Sequence, residues 1–82
     1  MKNYLPEPYS KWKHFKGEEY IVSDIALNTK TEELDVVYFK ETYDGKEPFR
    51  LIRLTFTRPL KEWEEFVPNI DGFMKARFEQ VE

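Results

Sequence analysis

Between residues 19 and 57 the apolar side chains fall into short stretches that sort onto two faces by a repeat of two, and short polar turns separate them. A repeat of two fits strands and not helices, which need a repeat near 3.6. The first piece, 19–28, places Tyr20, Val22 and Ala26 on one face and Ile21, Ile25 and Leu27 on the other. Both faces are apolar, as in a strand that crosses a barrel or bends between two sheets. The polar run 28–32 turns the chain. The second piece, 34–41, sets Leu34, Val36 and Tyr38 against Val37 and Phe39. Asp44-Gly45 is a hairpin signal, because Gly supplies the positive φ of a tight turn. The third piece, 48–57, presents Ile52, Leu54 and Phe56 as its core face.

The period changes at Thr57-Arg58-Pro59-Leu60. Thr57 or Arg58 can stand at a helix N-cap, and Pro59 suits a first turn, where its missing N–H costs nothing. Leu60 and Trp63 then share a face, with Glu62, Glu64 and Glu65 left for solvent. One to two helical turns are predicted, ended by Pro68. Asp71-Gly72 is a second turn. A final strand over 74–81 is expected to point Met74, Ala76 and Phe78 inward. At the other end Pro6 and Pro8 mark 1–11 as an extended arm, so that 12–82 forms a single domain. The order strand, strand, strand, helical turn, strand describes an all-β chain, a small SH3-like barrel or roll.

Eighty-two residues make one domain. The chain has no cysteine, so no disulfide or thiolate metal site supports it. Seven Phe, five Tyr and two Trp must supply much of the core. The net charge of −3 argues against a general nucleic-acid or membrane-surface binder, which needs a basic field. No apolar run approaches the ~20 residues of a membrane span, and the first residues lack a secretory apolar region. A cytoplasmic protein with no membrane partner is expected.

An ordered set of short motifs runs through the chain. Trp12, His14, Phe15, Lys16 and Gly17 open it, and Tyr20 and Val22 follow. Ala26, Thr29, Thr31 and Glu33 surround the first turn, then Val36-Val37-Tyr38. Arg58-Pro59-Leu60 is followed by Trp63, Glu65 and Val67, and Arg77-Phe78-Glu79 closes the series. Over about residues 12–81 this set resembles a bacterial family of small domains of unknown function, number 1653. The resemblance implies an SH3-type barrel and assigns no activity. The chain departs from the family pattern in two places. Asn28 stands where a second histidine is expected, with Lys30 in place of an acidic neighbour, and the stretch between Tyr38 and Arg58 is longer.

His14 is the only histidine. It can serve as a general base or a ligand contact, or it can simply orient the opening segment through a backbone hydrogen bond. No nucleophile pairs with it: cysteine is absent, and Ser10 and Ser23 sit in no elbow context. One histidine and scattered carboxylates do not make a metal site, and no cofactor is implied. Arg58 beside Trp63 suits carboxylate or peptide recognition, against the plainer reading that Trp63 is core and Arg58 pairs with Glu62 or Glu65. The segment 11–16 interleaves Lys11, Lys13 and Lys16 with Trp12 and Phe15, a composition that suits stacking and phosphate contact on a single strand.

These readings lead to a non-catalytic binding module whose groove is bordered by Trp12, His14, Tyr38, Arg58 and Trp63. It would take a peptide or a small anion. Single-stranded nucleic acid on 11–16 is the alternative, and an enzyme using His14 ranks third. Exposed strand edges allow a monomer or a weak homodimer.

Overall fold

In the computed structural model, residues 5–43, 45–46 and 50–81 are described. Seven strands and one helical turn follow in the order β1 (Lys11–His14), β2 (Glu19–Asn28), β3 (Glu33–Tyr43), β4 (Leu51–Pro59), α1 (Leu60–Trp63), β5 (Phe66–Pro68), β6 (Met74–Ala76) and β7 (Phe78–Gln80). Five of them form one antiparallel sheet in the order β4-β3-β2-β1-β7, and β5 pairs with β6 in a second, small sheet. The all-β class and the helical turn before the last strands are as expected. The sheets do not close into a barrel, and β4 and β7 are the edges of the larger one. No helix among the described residues is long and apolar enough to cross a membrane.

The faces of β2 differ from the simple alternation. Register shifts between Val22 and Asp24, so Val22 pairs with Tyr38 while Ile25 pairs with Val36. This bulge inserts Ser23 as an extra residue and moves Ile25 onto the face of Val22. The Ser23 hydroxyl donates to the Val37 carbonyl at 3.2 Å, which holds the bulge against β3. A strict repeat of two places Ile25 on the wrong face because it cannot contain the extra residue.

Three other boundaries move. Pro59 is itself the N-cap, with φ −55° and ψ 139° and no side-chain cap bond, while Thr57 and Arg58 stay in β4. Arg58 precedes a proline, which disfavours helical backbone, and it pairs with Val36 in the ladder. The helix ends at Trp63, and Pro68 lies in β5 instead of stopping α1. The predicted last strand is two strands. At the break, the Arg77 N–H donates to the Glu65 carbonyl (2.8 Å), and the Arg77 carbonyl accepts from the Phe15 N–H (2.9 Å). Arg77 therefore links the small hairpin to the opening turn. Met74, expected inward, is exposed, as are Phe66, Ile70 and Phe73 of the same hairpin.

Gly72 has φ +88°, and its N–H donates to the Asn69 carbonyl, so the Asp71-Gly72 turn forms as predicted. In the other hairpin turn Gly45 has φ +79°. Asp44, Pro48 and Phe49 lie outside the described residues. Ahead of β1, Pro6 and Ser10 are buried. The Tyr9 N–H donates to the Val22 carbonyl, and the Val22 N–H to the Ser10 carbonyl.

The core lies on one face of the large sheet and consists of Val22, Val36, Tyr38, Trp63 and Phe78. Trp12, Tyr20, Ile25, Phe56 and Leu60 pack around it. Phe39 is buried on the opposite face, where the Arg53 guanidinium sits 3.9 Å from its ring centre. Among the described residues, eight aromatics are thus buried or half-buried, so the core is built mainly of rings.

Candidate functional site

Strand β1 is four residues long, yet it has neighbours on both sides. Trp12 pairs with Tyr20 of β2 and with Gln80 of β7, and His14 pairs with Phe78. Alternation therefore sends Trp12 and His14 to the core face and Lys11 and Lys13 to the other. After His14 the chain turns tightly. The His14 N–H donates to the Glu18 carbonyl (2.7 Å), the Gly17 N–H donates to the His14 carbonyl (2.7 Å), and Gly17 takes φ +109°. The turn lifts Phe15, Lys16 and Glu18 around His14.

A groove of about 580 Å³ results, lined by this turn, by Tyr20 and Tyr38, and by Arg58, Arg77 and Phe78. Its volume lies in the range that holds a small ligand. Phe78 joins the groove to the core: its ring stacks on Trp63 with centres 3.8 Å apart and planes 6° from parallel. His14 meets the same ring edge-on at 4.9 Å, and the Arg58 guanidinium lies 5.6 Å from its centre.

Of the residues expected at the site, His14, Tyr38 and Arg58 line this groove. Trp63 does not; it is 2% exposed and lies behind the groove in the core. Trp12 lies there too, edge-on to Trp63 at 5.5 Å, with its indole N–H donating to the Ser10 hydroxyl at 2.8 Å. Sequence reasoning did not bring Arg77 or Tyr20 to the site, because each reads as an ordinary strand residue. The missing information is the β1–β7 pairing, which joins the two ends of the domain. The Arg77-Phe78-Glu79 motif was the one local signal.

Three cations, Lys16, Arg58 and Arg77, line the groove against one carboxylate, Glu18. That local sign opposes the chain's net charge of −3. Glu18 is already engaged. It accepts from the Tyr20 hydroxyl at 2.7 Å and from Lys40 at 3.1 Å, and these bonds hold its carboxyl below the usual carboxylate range. Burial, together with the Glu18 bond, pushes the Tyr20 hydroxyl up to about 12. Burial first, then the fields of Arg58, Arg77 and Lys16, push the His14 imidazole below its ordinary value. Its Nδ1 accepts the Lys16 backbone N–H at 3.2 Å, so in the neutral ring the proton sits on Nε2 as a donor.

Each arginine is fixed by a glutamate at the groove's outer side. Arg58 pairs with Glu62 of α1 at 3.5 Å, and its Nε–H donates to the Tyr38 hydroxyl at 3.4 Å. Arg77 pairs with Glu65 at 3.0 Å. The Arg77 Nε is buried and has no hydrogen-bond partner among the described residues. Such a donor costs about 1–3 kcal/mol. Asn28, which stands where the family pattern has a second histidine, is not at the groove. Its Oδ1 accepts from the Lys30 and Thr31 N–H groups and holds the β2–β3 turn.

Two other hollows carry less chemistry. One of about 460 Å³ adjoins Lys11 and Lys40, but Glu18, Glu19 and Glu41 border it as well. Another of about 310 Å³ lies beside α1, bordered by Glu33 and Lys61, which pair with each other at 3.5 Å.

The comparisons agree with this architecture. A crystal structure of a protein from Bordetella bronchiseptica belonging to DUF1653 superposes with a TM-score of 0.70 at 28% identity; the match covers 96% of this chain and 88% of that one. No match is found among curated proteins. The profile of the family described as "Protein of unknown function (DUF1653)" matches residues 10–80. That span takes in every strand and every residue of the groove, and the chain belongs to this family.

Proposed function

We propose that the chain is a non-catalytic binding module that takes a small anion, or an anionic group of a peptide, in the groove between the β1–β2 turn and Arg58 and Arg77. The observation that carries this reading is the convergence of Lys16, Arg58 and Arg77 on one ring-floored groove. Gathering three like charges costs energy that an anion offsets. The glutamates that neutralise the arginines hold them from the outer side and use only part of their donor capacity. A neutral His14 adds a donor and no charge.

The same geometry favours binding over catalysis. His14 contacts a backbone amide and two rings, and no carboxylate among the described residues hydrogen-bonds to it. A general base needs such an orienting partner.

The test is a titration of ¹⁵N-labelled protein with acetate, phosphate and short acidic peptides, followed by amide shifts. Saturable shifts confined to the groove residues, abolished in Arg58→Ala at unchanged native dispersion, are expected. Anions that shift no groove amide, or shift them equally in the variant, would sink the proposal. An oligonucleotide belongs in the same series. The nucleic-acid alternative draws on Phe15 and Lys16, but the Trp12 ring is committed to Trp63, and Lys11 and Lys13 lie on the opposite face of the sheet. Oligonucleotide shifts centred on β1, weakening with salt, would favour it.

A further inference from the structure

Resting on the reading of the groove as an anion site, we infer that its ligand is a carboxylate on an apolar residue, the C-terminal residue of a peptide, and not a phosphate group.

The lining holds three cations and one carboxylate. Their ion-pair partners add Lys40, Glu62 and Glu65. The whole cluster then has four cations against three carboxylates, one positive charge in excess. A carboxylate carries one negative charge and closes that balance. A phosphate monoester carries nearly two at neutral pH and leaves the cluster negative, with three glutamates close by.

Arg58 spends Nε on Tyr38 and one terminal nitrogen on Glu62, and Arg77 spends one terminal nitrogen on Glu65. Each keeps further N–H groups in a planar fork that grips two oxygens of an oxyanion, carboxylate or phosphate alike, so the charge balance decides between the two. The half-buried rings of Phe15 and Tyr20 border the groove beside its charges, and the buried Tyr38 and Phe78 back it. A hydrated inorganic anion makes no use of such a surface, whereas an apolar side chain attached to the carboxylate buries against it. The groove is partly open to solvent, which leaves room for the preceding peptide chain.

The test uses the full chain at neutral pH and low salt, with dissociation constants read from amide shifts. The probes are N-acetyl-phenylalanine, its C-terminal amide, phenyl phosphate, 3-phenylpropionate and a four-residue peptide ending in Phe. The acid is expected to bind at least about tenfold more tightly than the amide, since the amide forfeits the charge-assisted bonds. It should also bind more tightly than phenyl phosphate. Arg58→Lys and Arg77→Lys, which keep the charge and lose the fork, should each weaken the acid by about tenfold. Should either fail to give a native spectrum, Lys16→Gln on the exposed turn is the second variant, and it should weaken every anion alike. The peptide should bind at least as tightly as 3-phenylpropionate.

Equal binding of acid and amide would overturn the carboxylate assignment. Tighter binding of phenyl phosphate would overturn it too, while leaving the anion site standing. A free acid that far outcompetes the peptide would overturn the peptide source. If no probe shifts the groove, the assignment and the underlying reading fall together.

Discussion

Phe78 is the residue on which core and groove both depend. It packs on Trp63 on one side and supports His14 and Arg58 on the other. Phe78→Ala should cost about 3–5 kcal/mol in urea unfolding, the range for a buried Phe. Ligand binding should fall with it, because His14 and Arg58 lose their backing. His14 makes a separate prediction. Burial and the cations around it hold its folded pKa below the ordinary value of 6.5. The unfolded chain therefore takes up the proton first as pH falls. The stabilisation is complete above 6.5, declines as pH drops through the folded value, and then levels off. His14 is the only histidine, so the urea midpoint of the native chain minus that of His14→Gln, followed from about pH 8 to about pH 5, isolates the effect. A difference that stays flat would show that the imidazole is not perturbed. Part of the groove's lining was legible in the sequence. His14 and Arg58 stand out by residue type, whereas Tyr20 reads as an ordinary residue of β2 and Arg77 enters only through the pairing of β1 with the distant β7. The tryptophans misled because an aromatic beside an arginine reads the same whether it lines a groove or backs one.

Among the elements, the turn between β1 and β2 does most to shape the site. It closes through Gly17 at φ +109°, with open space around the missing side chain. Gly17→Ala therefore meets no clash, and its cost is conformational, about 1–3 kcal/mol. Thermal denaturation checks this, and a variant as stable as the parent would mean the turn adopts another backbone path. Strand positions were legible because a repeat of two is a strong signal, and β2 runs over the predicted residues. The bulge at Ser23 was not, since an extra residue leaves no compositional trace. The split between β6 and β7 was hidden for a related reason: Met74 to Val81 alternates well enough for one strand, and only the backbone bonds of Arg77 to Glu65, ahead of β5, and to Phe15, in the turn after β1, divide it. The four-residue β1 was read merely as an aromatic-basic segment, because a strand that short carries no period.

The molecule as a whole is less compact than its length requires. Its Cα radius of gyration is 14.4 Å, against ~12 Å for a compact chain of this size. The β3–β4 ribbon accounts for part of this, with Tyr43 and Leu51 exposed near its far end. The β5–β6 hairpin is the other exposed apolar feature, with Ile70 99% exposed and Phe73 74% exposed. Side chains so placed contribute little to folding, so Ile70→Ser with Phe73→Ser should change stability by no more than about 0.5 kcal/mol per site. A larger loss in urea unfolding would show that the hairpin tip is covered in solution. The pairing of β1 with β7 has a consequence in time. His14 and Phe78 are opposite one another in the sheet and at opposite ends of the domain's sequence. Contacts of such long range are slow to form, because the intervening chain must be ordered first. On the ribosome the β2–β3–β4 meander can assemble while synthesis continues, but the groove has no second wall until residues 77 and 78 emerge. A nascent or truncated chain lacking them would hold the β2–β3–β4 meander and still lack the groove that we propose as an anion site.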